Sequence, residues 1–280
     1  MKLRILLVGI IMSMLPCCSL RRHPIIKHVL LVKSGKDLHN SCQQKQPFIT
    51  IWVHGTRLRP RIVCKNFFAA PEGLVKAVDF DPACHLHTIA QTLSAVDGAY
   101  YPLEHIYLFG WPGALDFKAR KRAAQQLSES IQKVIHEFKQ HHDITPKVRV
   151  ITHSHGGNVA LNLASVEATE NLVVDELILL ACPVQRETMD YIKNPMFKRI
   201  FSLYSTTDLL QVIDPQGIYP HNGITRPLFS ERRFPAHKNL VQARIRMNRH
   251  SLMHVNFLLT NFIRVLPKVI ETMSSWHHDD

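Results

Sequence analysis

Short apolar runs of strand length alternate with amphipathic stretches of helix length from Phe48 almost to the end of the chain. This alternation admits few architectures. A strand followed by a helix and another strand closes naturally only as a parallel crossover unit, so repeated units predict an α/β fold with a mostly parallel central sheet flanked by helices. The runs are Phe48 to Val53, His105 to Phe109, Lys147 to Ile151, Asp175 to Ala181, Arg199 to Tyr204 and Val241 to Met247. Helices are expected over Asp116 to Gln140, from the glycines after Ser154 to about Ala168, and over His254 to Ser274. Two long connections, residues 57–104 and 209–240, are expected to carry functional loops, with short helices at Glu72 to Val78 and His87 to Val96. No large cap domain interrupts the pattern, and neither an internal repeat nor a low-complexity stretch occurs.

The chain has 280 residues, 46% hydrophobic and 20% charged, enough to bury one full core. Eleven glycines, no long heptad run and no 18-residue apolar stretch in the body exclude collagen-like, coiled-coil and polytopic membrane classes. Thirty-four Lys and Arg against 22 Asp and Glu leave a formal charge of +12, with 18 histidines besides. The basic clusters Arg57 to Arg61 and Lys118 to Arg122 lack the aromatic interleaving of a single-strand binder, so no nucleic acid is expected. A charged surface is the ordinary reading, and contact with an anionic membrane surface the alternative. The pairs His85/His87, His141/His142 and His277/His278 have no acidic or thiol partner at ligand spacing, so neither metal nor other cofactor is expected.

Residues 1–20 place Lys2 and Arg4 before an apolar stretch from Ile5 to Leu15, the build of an export signal. That stretch is too short for a membrane-spanning helix. Cys18, three positions after Leu15, resembles the acylated cysteine of bacterial lipoproteins, although Cys17 stands where a small residue is usual. The resulting division is an export signal over 1–20, an N-terminal segment over 21–47 and a single α/β domain over 48–275. The expected location is the cell envelope, membrane-associated and, if Cys18 is acylated, lipid-anchored. Cys182, inside an apolar run, is expected to be a buried thiol, and one disulfide among Cys42, Cys64 and Cys84 is open.

Val150 to Gly157 sets Ser154 at a sharp turn between an apolar strand and a helix, with Gly156 and Gly157 allowing close backbone approach. This arrangement resembles the nucleophile elbow of the α/β-hydrolase superfamily, with Thr152 in place of the first glycine of G-x-S-x-G. The Thr-His-Ser-x-Gly-Gly form is most similar to lipases, esterases and related lipid deacylases. The resemblance spans roughly residues 48–270 and implies a Ser-Asp-His order. Asp208, a few residues after the strand ending at Tyr204, matches the acid, with Asp214 as substitute. His250, closely following the last strand, matches the base, with His254 as competitor. The turn His54-Gly55-Thr56 resembles the superfamily's HG turn, which implies oxyanion donors at the backbone N–H groups of Thr56 and His155.

These residues imply a serine hydrolase cleaving carboxylic esters, lipid or acyl esters in particular, through an acyl-enzyme intermediate. An acyltransferase or thioesterase would use the same triad, and a catalytically silent lipid-binding or envelope interaction module would share the fold. Phe67, Phe68, Ile218, Tyr219, Leu228 and Phe229 are the expected walls of an acyl pocket. The oligomeric state is open.

Overall fold

A computed structural model of the chain describes residues 29–32, 46–56, 70–167, 172–214 and 229–276. The expectations on Cys18, the export signal, Cys42, Cys64, Phe67, Phe68, Ile218, Tyr219 and Leu228 fall outside these residues.

Among the described residues nine strands form one sheet: β1 (Val29–Val32), β2 (Phe48–Val53), β3 (Gly73–Lys76), β4 (Ile106–Gly110), β5 (Lys147–His153), β6 (Glu176–Leu180), β7 (Ile200–Tyr204), β8 (Leu240–Met247) and β9 (His250–Ser251). The order across it is β1-β8-β7-β6-β5-β2-β4-β3, with β9 paired to β8. All neighbours run parallel except β3 with β4 and β9 with β8. Among the described residues four α-helices accompany it: α1 (His85–Val96), α2 (Phe117–His142), α3 (Gly156–Leu161) and α4 (Thr260–Ser275).

The inner strands are buried on both faces, as a covered parallel sheet requires. In β2, Ile49, Ile51 and Val53 face one core, which also takes the apolar sides of α2 and α3. Trp52 faces the other, built with α1 and α4. In β6, Leu177 and Leu179 join the first core, and Ile178 and Leu180 the second. This two-residue alternation divides the apolar content between two layers. Helix α2 starts cleanly because the Asp116 carboxylate accepts from the backbone N–H groups of Lys118 and Ala119, at 2.6 and 3.1 Å.

At the end of the sheet opposite the elbow, Arg149 on β5 stands in register with Glu176 on β6. Both are buried, and Arg149 Nε donates to Glu176 Oε2 at 2.7 Å. Tyr100 Oη and Arg199 Nη2 donate to the other carboxylate oxygen, at 2.9 and 2.7 Å. The Arg149 guanidinium lies 3.9 Å from the Tyr100 ring centre and 4.1 Å from that of Phe48. Burial beside this network pushes the Tyr100 phenol up to about 12.

Three elements depart from the sequence expectation. Residues 72–78, expected to be helical, form the edge strand β3 followed by a 3-10 turn over Ala77–Asp79, because pairing with β4 outweighs local helical spacing. The α-helix after the elbow ends at Leu161 and continues as a 3-10 turn to Ser165. The final α-helix starts at Thr260, and His254–Leu258 is a separate 3-10 turn. In addition, β1 from the N-terminal segment extends the sheet beyond β8. Cys84 and Cys182 are buried thiols, and burial raises the pKa of each. No described helix is long and apolar enough to cross a membrane.

Candidate active site

Strand β5 ends at His153, and helix α3 begins two residues after Ser154. Ser154 opens the two-residue reversal and takes φ of 54°, a left-handed conformation unusual for a side chain with a Cβ. Such strain is of order 1–3 kcal/mol and persists only where the surroundings dictate it. Here the Ser154 N–H donates to Leu180 O at 2.9 Å, and Ser154 O accepts from the Gly157 N–H at 3.0 Å, fixing the reversal from both sides. The glycines are required by space. A Cβ on Gly156 would lie 2.6 Å from the carbonyl oxygens of Val53 and His54, and one on Gly157 would lie 2.4 Å from Cys182 Sγ.

The His54-Gly55-Thr56 turn at the end of β2 lies directly against the elbow: a Cβ on Gly55 would come within 2.8 Å of Ser154 Cβ. His54 is buried and held on both nitrogens. Its Nε2 accepts from the Trp111 N–H at 3.2 Å, so Nδ1 carries the proton and donates to Gly55 O at 2.7 Å. Trp111 Nε1 donates in return to His54 O at 2.7 Å.

Asp208 follows β7 by four residues and is buried at 1% exposure. Its Oδ1 accepts from the Gln211 N–H at 3.1 Å, its main-chain oxygen from Arg232 Nη2 at 3.0 Å, and its Oδ2 from His254 Nδ1 at 2.8 Å. The acid loop and the loop bearing His254 are also tied by Thr207 Oγ1, which donates to Leu252 O at 3.0 Å.

The structure therefore pairs Asp208 with His254 and not with His250. After β8, Asn248 and Arg249 take φ of 51° and 68°, turning the chain back so that His250 pairs with Met247 in β9. His250 is exposed there, while the same turn carries His254 to the acid. Asp214 is engaged elsewhere: its Oδ2 accepts from Gln185 Nε2 at 2.7 Å, and Gln185 Oε1 accepts from the buried Arg120 at 3.1 Å.

The elbow meets this pair through His153. Its Nε2 donates to His254 O at 3.1 Å, and the two rings lie 4.6 Å apart. Burial, followed by the nearby His254, holds His153 well below the ordinary imidazole pKa. Burial, followed by Arg120, does the same for His155. Two neutral imidazoles thus flank the serine. His153 and Trp111 were not singled out from the sequence, although Trp111 stands in the conspicuous Gly110 to Gly113 turn after β4.

A cavity of about 800 Å³ lies between the segment after β6 and the segment before β8, with Val184, Gln185, Asp214, Phe229 and Phe234 among its walls. Of the expected pocket residues it takes Phe229; Ser154, Asp208 and His254 do not line it. Among the described residues, no group of three or more His, Cys, Asp or Glu side chains could hold a metal.

Residues 114–210, which include the elbow and Asp208, match the family described as the PGAP1-like alpha/beta domain. No curated protein matches the chain. Among solved structures it is similar to an Aspergillus fumigatus lipase B, at 13% identity and TM-score 0.39, covering 80% of this chain and 51% of that one. It is also similar to a thermostable esterase from Pseudomonas putida, at 13% identity and TM-score 0.37, covering 83% of this chain and 73% of that one. A Pyrobaculum calidifontis esterase is similar at 14% identity and TM-score 0.36, covering 85% and 76%. The strand order and the strand, serine, helix reversal of this chain are those of the α/β-hydrolase fold.

Proposed function

We propose that the protein is a serine hydrolase that cleaves carboxylic esters, acyl or lipid esters in particular, through an acyl-enzyme intermediate. The observation that carries this reading is a serine held at φ of 54° at the elbow, together with a buried aspartate 2.8 Å from the histidine whose ring lies against the elbow strand. A stored backbone outlier of this kind is an argument for function, because it persists against its own cost.

The roles follow from the hydrogen bonds. An ionised Asp208 only accepts, so His254 carries its proton on Nδ1, leaving Nε2 as the base. Ser154 Oγ attacks the ester carbonyl carbon while its proton passes to His254 Nε2. The backbone N–H groups of His155 and Thr56 stabilise the oxyanion. Collapse expels the alcohol, which takes the proton from His254. Water then attacks the acyl-serine by the same route, releasing the carboxylic acid and restoring Ser154.

The test is labelling by a fluorophosphonate probe, expected for the parent chain and lost in Ser154→Ala. Retained labelling in that variant, or none in the parent, would overturn the assignment. Turnover of p-nitrophenyl esters with and without an added alcohol separates hydrolysis from acyl transfer.

A further inference from the structure

The described residues include ten exposed large apolar side chains, and they are unevenly placed. Val78, Leu115, Ile144 and Val173 are scattered singly, as on any soluble surface. Five of the others, Leu209, Leu210, Met253, Val255 and Leu259, belong to the two segments that carry Asp208 and His254. Met253 is 65% and Val255 47% exposed, on either side of the histidine. The Thr207 and His254 hydrogen bonds tie the two segments together at the end of β7 and β8. Apolar side chains clustered in this way are the kind of surface that a partner covers.

The charge around them is one-sided. Between Glu231 and Glu271 the chain has eight Lys and Arg residues and no Asp or Glu; Lys268 pairs with Glu271 and Arg232 lies against Asp208, which leaves six with no ion pair to an acid among the described residues. That segment comprises β8, β9, the His254 turn and most of α4. Arg249 is exposed at the β8–β9 turn, where Arg246 Nη2 donates to its carbonyl oxygen at 2.7 Å. Apolar side chains beside an exposed cation such as Arg249 match the two layers of an anionic lipid surface, acyl chains beneath phosphate headgroups.

We infer that the loops bearing Asp208 and His254 dock the protein on an anionic phospholipid surface. Leu209, Leu210, Met253, Val255 and Leu259 enter the acyl layer, and Arg249 sits at the phosphates. This deepens the proposed function, on which it rests for the claim that the docked face is the catalytic one; the docking itself can be read without turnover. It identifies the substrate's form, an ester presented by the membrane to which the protein is bound.

The test is co-sedimentation of the full chain with phosphatidylglycerol and phosphatidylcholine vesicles at low and high salt, so that any contribution of residues 1–20 is common to all variants. The parent is expected to prefer phosphatidylglycerol and to release with salt. The triple variant Leu209→Ser, Leu210→Ser, Val255→Ser should partition at least ten-fold more weakly. Arg249→Asn, whose new side chain tolerates the positive φ, should lose about five-fold on the anionic vesicles alone. Both variants should keep the parent's melting temperature and its rate of fluorophosphonate labelling in vesicle-free solution. Undiminished partitioning of the triple variant, or equal and salt-insensitive binding to both lipids, would overturn the proposal. So would a parent dimer that ignores vesicles and that the triple variant dissociates. If docking follows these expectations but the parent does not label, the serine hydrolase reading fails and the docking surface stands.

Discussion

Trp111 and His54 grip each other twice: the Trp111 main-chain N–H reaches the His54 ring, and the Trp111 indole N–H reaches the His54 carbonyl. The ring so held donates from Nδ1 to Gly55 O. The carbonyl and N–H of one trans peptide unit point in opposite directions, so fixing Gly55 O also fixes the aim of the Thr56 N–H. In the proposed mechanism His54 and Trp111 are therefore positioning residues for one oxyanion donor. Trp111→Phe, which keeps the ring but loses the indole bond, is expected to lower kcat about 10-fold with KM little changed. His54→Ala should approach the 10²- to 10³-fold loss typical of a missing oxyanion donor. Steady-state kinetics on a soluble ester would check both, and a change confined to KM would contradict the argument.

The choice between two histidines is equally direct. His254→Ala should abolish turnover to within a small residue of activity, because Asp208 then has no base to orient. His250→Ala, on an exposed two-residue strand, should stay within about two-fold of the parent. The reverse pattern would return the role to His250.

Gly157 and Cys182 make an expectation that needs two substitutions. A methyl group at residue 157 overlaps Cys182 Sγ, so Gly157→Ala should cost about 1–3 kcal/mol as an overpacked site. Cys182→Ala removes the Sγ clash but keeps a Cβ 2.9 Å from the added methyl, so the double variant should recover part of the loss. Urea denaturation of the four proteins reads the coupling, which additivity would refute.

The Arg149–Glu176 pair is buried on both sides, so removing one partner strands a charge. Glu176→Gln is expected to lose about 3–5 kcal/mol in chemical denaturation. Because the site lies at the opposite end of the sheet, labelling of the folded fraction should be unchanged.

Acid should weaken the fold through His153 and His155. Both are held below the ordinary imidazole value of 6.5 in the folded chain, so below that pH the unfolded chain binds more protons. Stability is then complete above about pH 6.5 and falls as the pH drops toward the folded values, by about 1.4 kcal/mol per pH unit for each ring. Melting temperatures between pH 7 and 5 should show the decline, and His153→Asn should flatten it.

The fold was legible wherever local pattern and burial agree. The strand at Phe48–Val53 was read to the residue, and β4 to β8 came within two residues at each end. The elbow was legible because its glycines and serine are adjacent in sequence. Two features depended on pairings that local pattern does not encode. β3 has helical spacing but is drawn to the β4 edge, and β1 lies far from β8 in the chain. For a related reason the structure sets His254, the competitor read from the sequence, against Asp208 in place of His250. Asn248 tolerates the left-handed region, but nothing at Arg249 announces a second such residue, and their turn is what sets His254 rather than His250 against Asp208.

The position of β7 and β8 at the far side of the sheet from β4 also orders the making of the site. During synthesis the elbow is complete once β6 is available to take the Ser154 N–H. Asp208 arrives some fifty residues after Ser154, and His254 about another fifty after that. On the proposed mechanism a nascent or C-terminally clipped chain carries a formed but unarmed serine, and proteolysis between Tyr204 and His254 would silence Ser154 without touching the elbow.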